Sequence, residues 1–406
     1  MSSNHYDVII AGGGPAGASA AIHLKMRGAR VLLVEQKKFP RPKLCGEFIS
    51  PECVPHFERL GVAEQMFAVH PSKLTETVFY ARQGKSVSVP SAWFGAGGFA
   101  LGLSRAEMDE RLLRRAGEAG AEVLENAQVV NLILDQGQVK GVTVKHDGKE
   151  DLCWAPVTID ATGRTRALAR RVTRSQHPAT PRRAALVAFK AHLTKAKVKP
   201  GACEIYFYRG GYGGLSSIEN GLSNLCFIAS ARAVRECGAD AERVMREVLC
   251  QNRRAEYALE HAGVVSPWLA VSLEGFGRNA VTPAPGLILI GDAASFIDPF
   301  TGSGMLMALE SGELAAGVIG DHLPALRSGA GVDDLNNRYH AAYKTSFDSR
   351  LRTCSMIRRA AFVPGLAQLA IGVFGASERL RRRVSRATRS GAPETYSLSE
   401  RLNNSR

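Results

Sequence analysis

Short, unbroken apolar runs alternate with amphipathic stretches along the first part of the chain. Val8-Ile9-Ile10-Ala11 is apolar throughout, as a strand buried on both faces requires. It passes into Gly12-Gly13-Gly14-Pro15-Ala16-Gly17, which opens a helix, and a second such run, Val31 to Val34, ends at Glu35. Val8 to about Pro40 therefore predicts a β-α-β unit. Further on, Met108, Leu112 and Leu113 share a helical face behind Ser104, a suitable N-cap, and Glu107 completes a capping box. Ala121 to Leu124 predicts another strand. Gln128 to Asp135 and Gln138 to His146 alternate apolar and polar around Gln136-Gly137, which predicts a hairpin. Val157 to Asp160 rejoins the buried parallel sheet.

From Leu186 to Ala231 the texture changes. Val187 to Leu193, Cys203 to Tyr208, Gly214 to Ile218 and Asn224 to Ser230 predict the strands of a second, β-rich domain inserted into the first. Helical segments follow over Ala239 to Gln251 and Ala255 to His261. Leu287 to Asp292 returns the chain to the first sheet, and Gly304 to Ile319 predicts a long helix. Beyond Asp333 the pattern is helical up to a polar tail from Ser390, expected to be disordered. The expected boundaries are a first domain from 1–180 and 276–330, a β-rich insert at 181–275, a helical region at 331–389 and a tail at 390–406. The fold class is α/β.

With 45% hydrophobic and 22% charged residues, composition points to an ordinary globular chain and not to a membrane or disordered one. The net charge of +14 changes the picture more, because it is unevenly placed. Ala161 to Cys203 holds eleven Lys or Arg and no acid, and Arg350 to Arg389 holds ten Arg against Glu378 alone. No helix-turn-helix, zinc finger or aromatic RNA-binding pattern accompanies these stretches, so nucleic acid is not the expected partner. An anionic membrane surface or an anionic substrate fits better. Ala360 to Ala376 is almost wholly apolar between arginines, but it is short and holds Pro364, Gly365, Gly372 and Gly375. It is expected not to span a bilayer; it reads either as an interfacial anchor or as a helix packed on the first domain. Eight scattered cysteines without CxxC spacing predict free thiols and no metal site, as in a reducing cytoplasm. The first strand begins within a few residues of Met1, leaving no expected signal peptide. The expected location is cytoplasmic, with possible peripheral contact on the inner face of the membrane.

The candidate chemistry lies where apolar strands end in small residues. Gly12 permits the tight turn, Gly14 lets backbone approach a pyrophosphate, and Gly17 lets the helix pack closely. The helix N-terminus at Pro15 points N–H groups at phosphates. Glu35 is placed to accept both ribose hydroxyls and repels a 2′-phosphate, so the nucleotide reads as FAD or NAD. Asp160-Ala161-Thr162-Gly163 and Gly291-Asp292-Ala293-Ala294 end two further strands of that sheet, and all three loops can face one ligand. Asp298 to Gly304 opens another helix, whose N-terminus suits the negative charge of a reduced flavin. The expected architecture is thus a Rossmann-like FAD-binding domain, an inserted antiparallel β-sheet substrate domain and a helical C-terminal region.

Across about the first 320 residues the sequence resembles the FAD-dependent family that includes aromatic hydroxylases, flavin halogenases and geranylgeranyl reductases. Its anchors are Gly12 to Gly17, Asp160 to Gly163 and Gly291 to Ala293. The geranylgeranyl reductase branch is the nearest likeness, through Arg41-Pro42-Lys43-Leu44-Cys45-Gly46-Glu47 and the stretch Gly291 to Gly304. The resemblance implies FAD beneath the insert, with substrate between the flavin ring and the second sheet. It places Gly12, Gly14, Pro15, Ala16, Gly17, Glu35 and Gln36 on the cofactor, with Arg41, Cys45, Gly46, Arg105 and Val129. It adds Asp160, Gly163, Gly291, Asp292, Pro299, Gly302, Gly304 and Met305. Two departures stand out. The Trp and the Phe-Pro pair of archaeal-type reductases are absent from Gly211 to Ser216, and the Trp-x-Trp-x-Ile-Pro signature of tryptophan halogenases is absent too.

Cys45 is a candidate catalytic residue, as a proton relay flanked by Arg41 and Lys43; the plainer reading is a small filler in a tight turn. Tyr206 and Tyr212 are candidate proton donors on the second sheet, against an ordinary sheet-surface role. Tyr206 and Tyr208, two apart, share one face. Glu47 reads as a capping acid for the segment from Ser50, with proton donation as the alternative. Gly95 to Ala100 reads as a glycine-rich loop near substrate. With one dinucleotide fingerprint, electrons must come from NADPH or NADH bound transiently, or from a donor protein. The expected reaction is FAD-dependent reduction of a carbon–carbon double bond in a lipophilic, isoprenoid or polyketide-like substrate. The alternatives are monooxygenation or halogenation through a flavin C4a-hydroperoxide, and a membrane-docked electron carrier.

Overall fold

The computed structural model describes residues 4–94, 98–176, 185–273, 275–298, 302–361 and 366–388. Its centre is a five-stranded parallel sheet in the order Leu287–Leu289, Val157–Asp160, Val8–Ala11, Val31–Val34, Glu122–Leu124. Strands buried on both faces can be apolar without alternation, and Ile9, Ile10, Leu32 and Leu33 are fully enclosed. The Pro15–Met26 and Gly304–Arg327 helices pack against each other on this sheet. Their approach is close because a Cβ on Gly312 would lie 2.5 Å from the Ala16 carbonyl oxygen.

The Arg105–Glu118 helix buries Met108, Leu112 and Leu113, as its period demands. Ser104 Oγ accepts from the Glu107 N–H at 3.3 Å. The reciprocal half of the capping box is filled differently: the Ser104 N–H donates to Glu219 at 2.9 Å, while Glu107 pairs with Arg111. The hairpin Gln128–Asp135 and Gln138–His146 forms as expected and gains a third strand, Lys149–Trp154.

The second sheet contains Leu186–Thr194, Ala202–Tyr208, Gly211–Ser217 and Ser223–Ser230. It is not a contiguous insert. Glu76–Tyr80 pairs in parallel with Ala202–Tyr208, and Ser86–Pro90 extends the edge beyond it. The 181–275 segment thus shares its sheet with strands from the first part of the chain. Helices Val332–Ala361, Leu366–Ala376 and Glu378–Ala387 complete the described C-terminal region. No helix among the described residues is long and apolar enough to cross a membrane. Residues 362–365, inside the Ala360 to Ala376 run, and the tail from 389 lie outside the described residues.

Candidate active site

A cavity of about 800 Å³ runs from the opening glycine loop to the cleft-facing side of the second sheet. Its first end is built by the parallel sheet. Gly12 has φ of +109°, and a Cβ there would meet the Ala161 carbonyl oxygen at 2.4 Å. At Gly14 a Cβ would meet nothing within 4 Å, so this backbone faces open space where a pyrophosphate can approach. The Glu35 carboxylate accepts from the Gly13 N–H at 2.8 Å and the Lys37 N–H at 2.9 Å. These donors hold it at the strand end, with Arg41 at 3.7 Å.

The cradle suits FAD. Asp292 and Gly291 sit at the opposite wall, and Gly302, Gly304 and Met305 continue it at the start of the Gly304–Arg327 helix. Burial pushes the Asp292 carboxyl up, and Arg105, Arg164 and Lys43 pull it back. Burial also lowers the Lys43 ammonium, reinforced by Arg105 and Arg41 and opposed by Asp292. Arg105 forms a two-pronged pair with Asp109 at 2.7 and 2.8 Å. Burial would lower its pKa, but Asp109 and the neighbouring Cys45 sulfur raise it further, so it stays a fixed cation.

Gly12, Gly14, Pro15, Ala16, Glu35, Gln36, Arg41, Cys45, Gly46, Arg105, Val129, Gly163, Gly291, Asp292, Gly302, Gly304, Met305 and Tyr212 all line the cavity. Gly17 does not; it serves the loop, since a Cβ there would sit 1.9 Å from the Gly12 carbonyl oxygen. Pro299 lies outside the described residues, as do Gly95, Ala96 and Gly97 of the glycine-rich loop.

Three expectations are corrected. Asp160 is fully buried behind the cavity, where its carboxylate accepts from Thr162 N and Oγ1, Leu168 N and Ala169 N at 2.6–3.1 Å. It shapes the loop and has no lone pair facing the cofactor space. Tyr206 does share a face with Tyr208, but that face is turned away from the cleft. Ile205 and Phe207 line the cavity, whereas Tyr206 is fully buried on the other side with its hydroxyl 2.8 Å from Glu204. Glu47 does not cap the segment from Ser50. Its carboxylate accepts from the Arg105 N–H at 2.9 Å, Lys190 Nζ at 2.5 Å and His192 Nε2 at 2.7 Å. Burial alone would raise its pKa, but His192 and Lys190 together hold it below the ordinary range.

Tyr212 reaches the cavity, yet its hydroxyl donates to Asp298, which also pairs with Arg358 at 3.0 Å. Cys45 lies beside Arg105 and its sulfur accepts from the Glu47 N–H at 3.4 Å. Two further thiols, Cys203 and Cys226, also line the cavity. Sequence reading passed over both because an isolated cysteine in a strand carries no signal until the strand's neighbours are known.

The FAD binding domain family matches residues 5–344. The chain belongs to that family. FAD is accordingly its cofactor, and its broad activity is FAD-dependent oxidoreduction. A menaquinone reductase of Mycolicibacterium smegmatis is 29% identical over 376 residues, covering 88% of this chain and 84% of that protein. A digeranylgeranylglycerophospholipid reductase of Methanococcoides burtonii is 25% identical, with the same coverage of 88% and 84%. Among solved structures, a flavin-dependent brominase aligns with a TM-score of 0.77 at 20% identity, covering 95% of this chain and 93% of its own. A geranylgeranyl bacteriochlorophyll reductase-like protein of Thermoplasma acidophilum aligns at 0.70 and 21%, covering 95% and 91%. At these identities the structures establish the fold of this flavoprotein.

Proposed function

We propose that this flavoprotein reduces a carbon–carbon double bond of a lipophilic substrate, isoprenoid or polyketide-like. The observation that carries the reading is the grading of the cavity. Its cofactor end is polar and cationic, and it continues into a channel walled by Phe79, Val87, Ile205, Phe207, Ile371 and Phe374. Such walls favour an apolar chain by roughly 25 cal/mol for each Å² taken from water. The names of the two reductase relatives support the same class. When bound, reduced FAD supplies the hydride.

The chain's own residues do the rest. Glu35 and the glycine loop bind the nucleotide, and Arg105, fixed by Asp109, holds positive charge beside it. The apolar wall excludes water from the reacting carbons, and the Cys226 thiol, pushed up by burial, holds a proton on the wall of the same cavity. NADPH or NADH binding transiently, or a donor protein, restores the flavin. Because such a substrate lives in a bilayer, the exposed arginines of the C-terminal helices dock the protein on anionic lipid.

Oxygenation or halogenation is the second reading, supported by a chlorinase of Pseudomonas fluorescens that is 26% identical over 354 residues. Rapid mixing of the reduced holoprotein with oxygen separates the two. The reductase reading expects plain, slow flavin reoxidation. Oxygen or halide transferred to an aromatic acceptor would contradict it.

A further inference from the structure

We infer that Cys226 is the proton donor of the cleft and that Lys190, Glu47 and His192 return its proton from solvent; this rests on the proposed double-bond reduction. Lys190 and Cys226 are directly opposed partners on adjacent antiparallel strands. Side chains so paired share a face, with Cβ atoms about 4.5–5.5 Å apart. Cys226 lines the cavity. Behind it, Lys190 Nζ lies 2.5 Å from one Glu47 oxygen and His192 Nε2 lies 2.7 Å from the other. The side chains of Glu47 and Lys190 are 0% and 3% exposed, whereas His192 is 18% exposed. The chain of groups therefore has one end at the cleft and one at solvent.

An ionised carboxylate only accepts, so His192 Nε2 carries the hydrogen and Nδ1 is the ring atom that takes a proton from water. The groups facing Glu47 are Lys190 and His192 from one strand, Arg105 from its helix, Cys45 from its own loop and Cys226 from the next strand. Glu219 stands nearby on the Ser104 N–H. Other donors are otherwise engaged. Tyr212 is bound to Asp298, Tyr206 faces away, and Cys45 accepts from the Glu47 backbone. Cys203 also lines the cavity, but two strands separate its own strand from that of Lys190 and His192. Burial, with Cys45 and Glu47, pushes the Cys226 thiol up and Lys190 opposes them, so the resting group is a thiol with a proton to give.

The steps balance. One carbon receives a hydride, both electrons coming from reduced flavin, and the other receives the Cys226 proton, breaking S–H and forming C–H. The thiolate regains a proton from the Lys190 ammonium. Water first protonates His192 Nδ1, and the resulting imidazolium passes its Nε2 proton to the Glu47 carboxylate. That carboxyl rotates and hands the proton to the neutral Lys190 amine, and the ring regains its Nε2–H tautomer by exchange with water.

The test uses the FAD-loaded full chain. Methyl methanethiosulfonate labels cleft thiols without substrate, and peptide mass spectrometry reads Cys226 and Cys45 separately. Lys190→Met removes the adjacent ammonium, so Cys226 labelling slows by about tenfold, one pKa unit, while Lys190→Arg keeps it. Anaerobic turnover is measured with an isoprenoid quinone. Cys226→Ser loses about 100-fold in kcat with little change in KM, and His192→Gln lowers kcat in the same way while leaving KM unchanged. If Lys190→Met fails to fold around an unpaired Glu47, the near-isosteric Cys226→Ser still decides. Full turnover in Cys226→Ser, or unchanged Cys226 labelling in Lys190→Met, overturns the inference. Absence of quinone reduction by the wild type contradicts the substrate reading instead, and the labelling result still decides whether Lys190 charges Cys226.

Discussion

At Gly17 a Cβ would lie 1.9 Å from the Gly12 carbonyl oxygen, far inside van der Waals contact. Gly17→Ala must therefore displace the loop or the helix, and the purified variant is expected to lack flavin absorbance in the visible range. Glu35→Ala removes the carboxylate without a clash. Losing hydrogen bonds to a charged group costs about 1.5–3 kcal/mol, so FAD affinity should fall roughly 10- to 100-fold, measured by fluorescence titration. The backbone-driven residues at this end were readable from the sequence because their spacing is local. Glu47 was not, since its partners Lys190 and His192 lie 143 and 145 residues away. Tyr206 failed for a different reason. Strand parity says which residues share a face, but only the packing of the helices decides which face is covered.

Elements are joined by contacts of the same long-range kind. Arg59 and His56 on the Cys53–Leu60 helix clamp Glu313 of the Gly304–Arg327 helix at 3.0 and 3.1 Å. Burial would raise the Glu313 carboxyl, but His56 and Arg59 hold it down at about 2 against the usual 4.5. A depressed folded value means that the clamp contributes fully above about pH 4.5 and loses its contribution as pH falls through about 2. Arg59 is nearly half exposed, so the contribution is under about 1 kcal/mol. Glu313→Gln should lower stability near neutrality by that small amount and flatten the acid limb, read from melting temperature against pH. Ser104→Ala, by removing an N-cap, should cost about 1 kcal/mol in denaturant unfolding. The parallel sheet and hairpin were legible because their periodicity is local. The strand Glu76–Tyr80 gave no sign of its distant partner Ala202–Tyr208, because parallel pairing across more than a hundred residues leaves no local pattern; Ser86–Pro90 joins that sheet only through its antiparallel pairing with Glu76–Tyr80.

For the whole molecule, the uneven charge acquires a place. Arg379, Arg382, Arg383 and Arg386 are exposed on the last described helix, near exposed Val373 and Leu380. The inner side of the same region, with Ile371, Phe374 and Val384, closes the apolar end of the cavity. If this surface docks on anionic lipid, each arginine contributes about 1 kcal/mol. Replacing all four by Gln should weaken flotation with anionic vesicles by roughly several hundred-fold and leave zwitterionic vesicles unaffected. Equal flotation of both proteins would contradict the docking.

In the proposed reaction, electrons stored on the bound flavin end on a carbon–carbon double bond. Its most direct test is anaerobic incubation of the photoreduced holoprotein with an isoprenoid quinone, following flavin absorbance and the mass of the product together. Flavin reoxidation should proceed in step with a product that has gained two hydrogens across one double bond of the side chain. A flavin that stays reduced until oxygen is admitted, and a product that then carries oxygen, would contradict it.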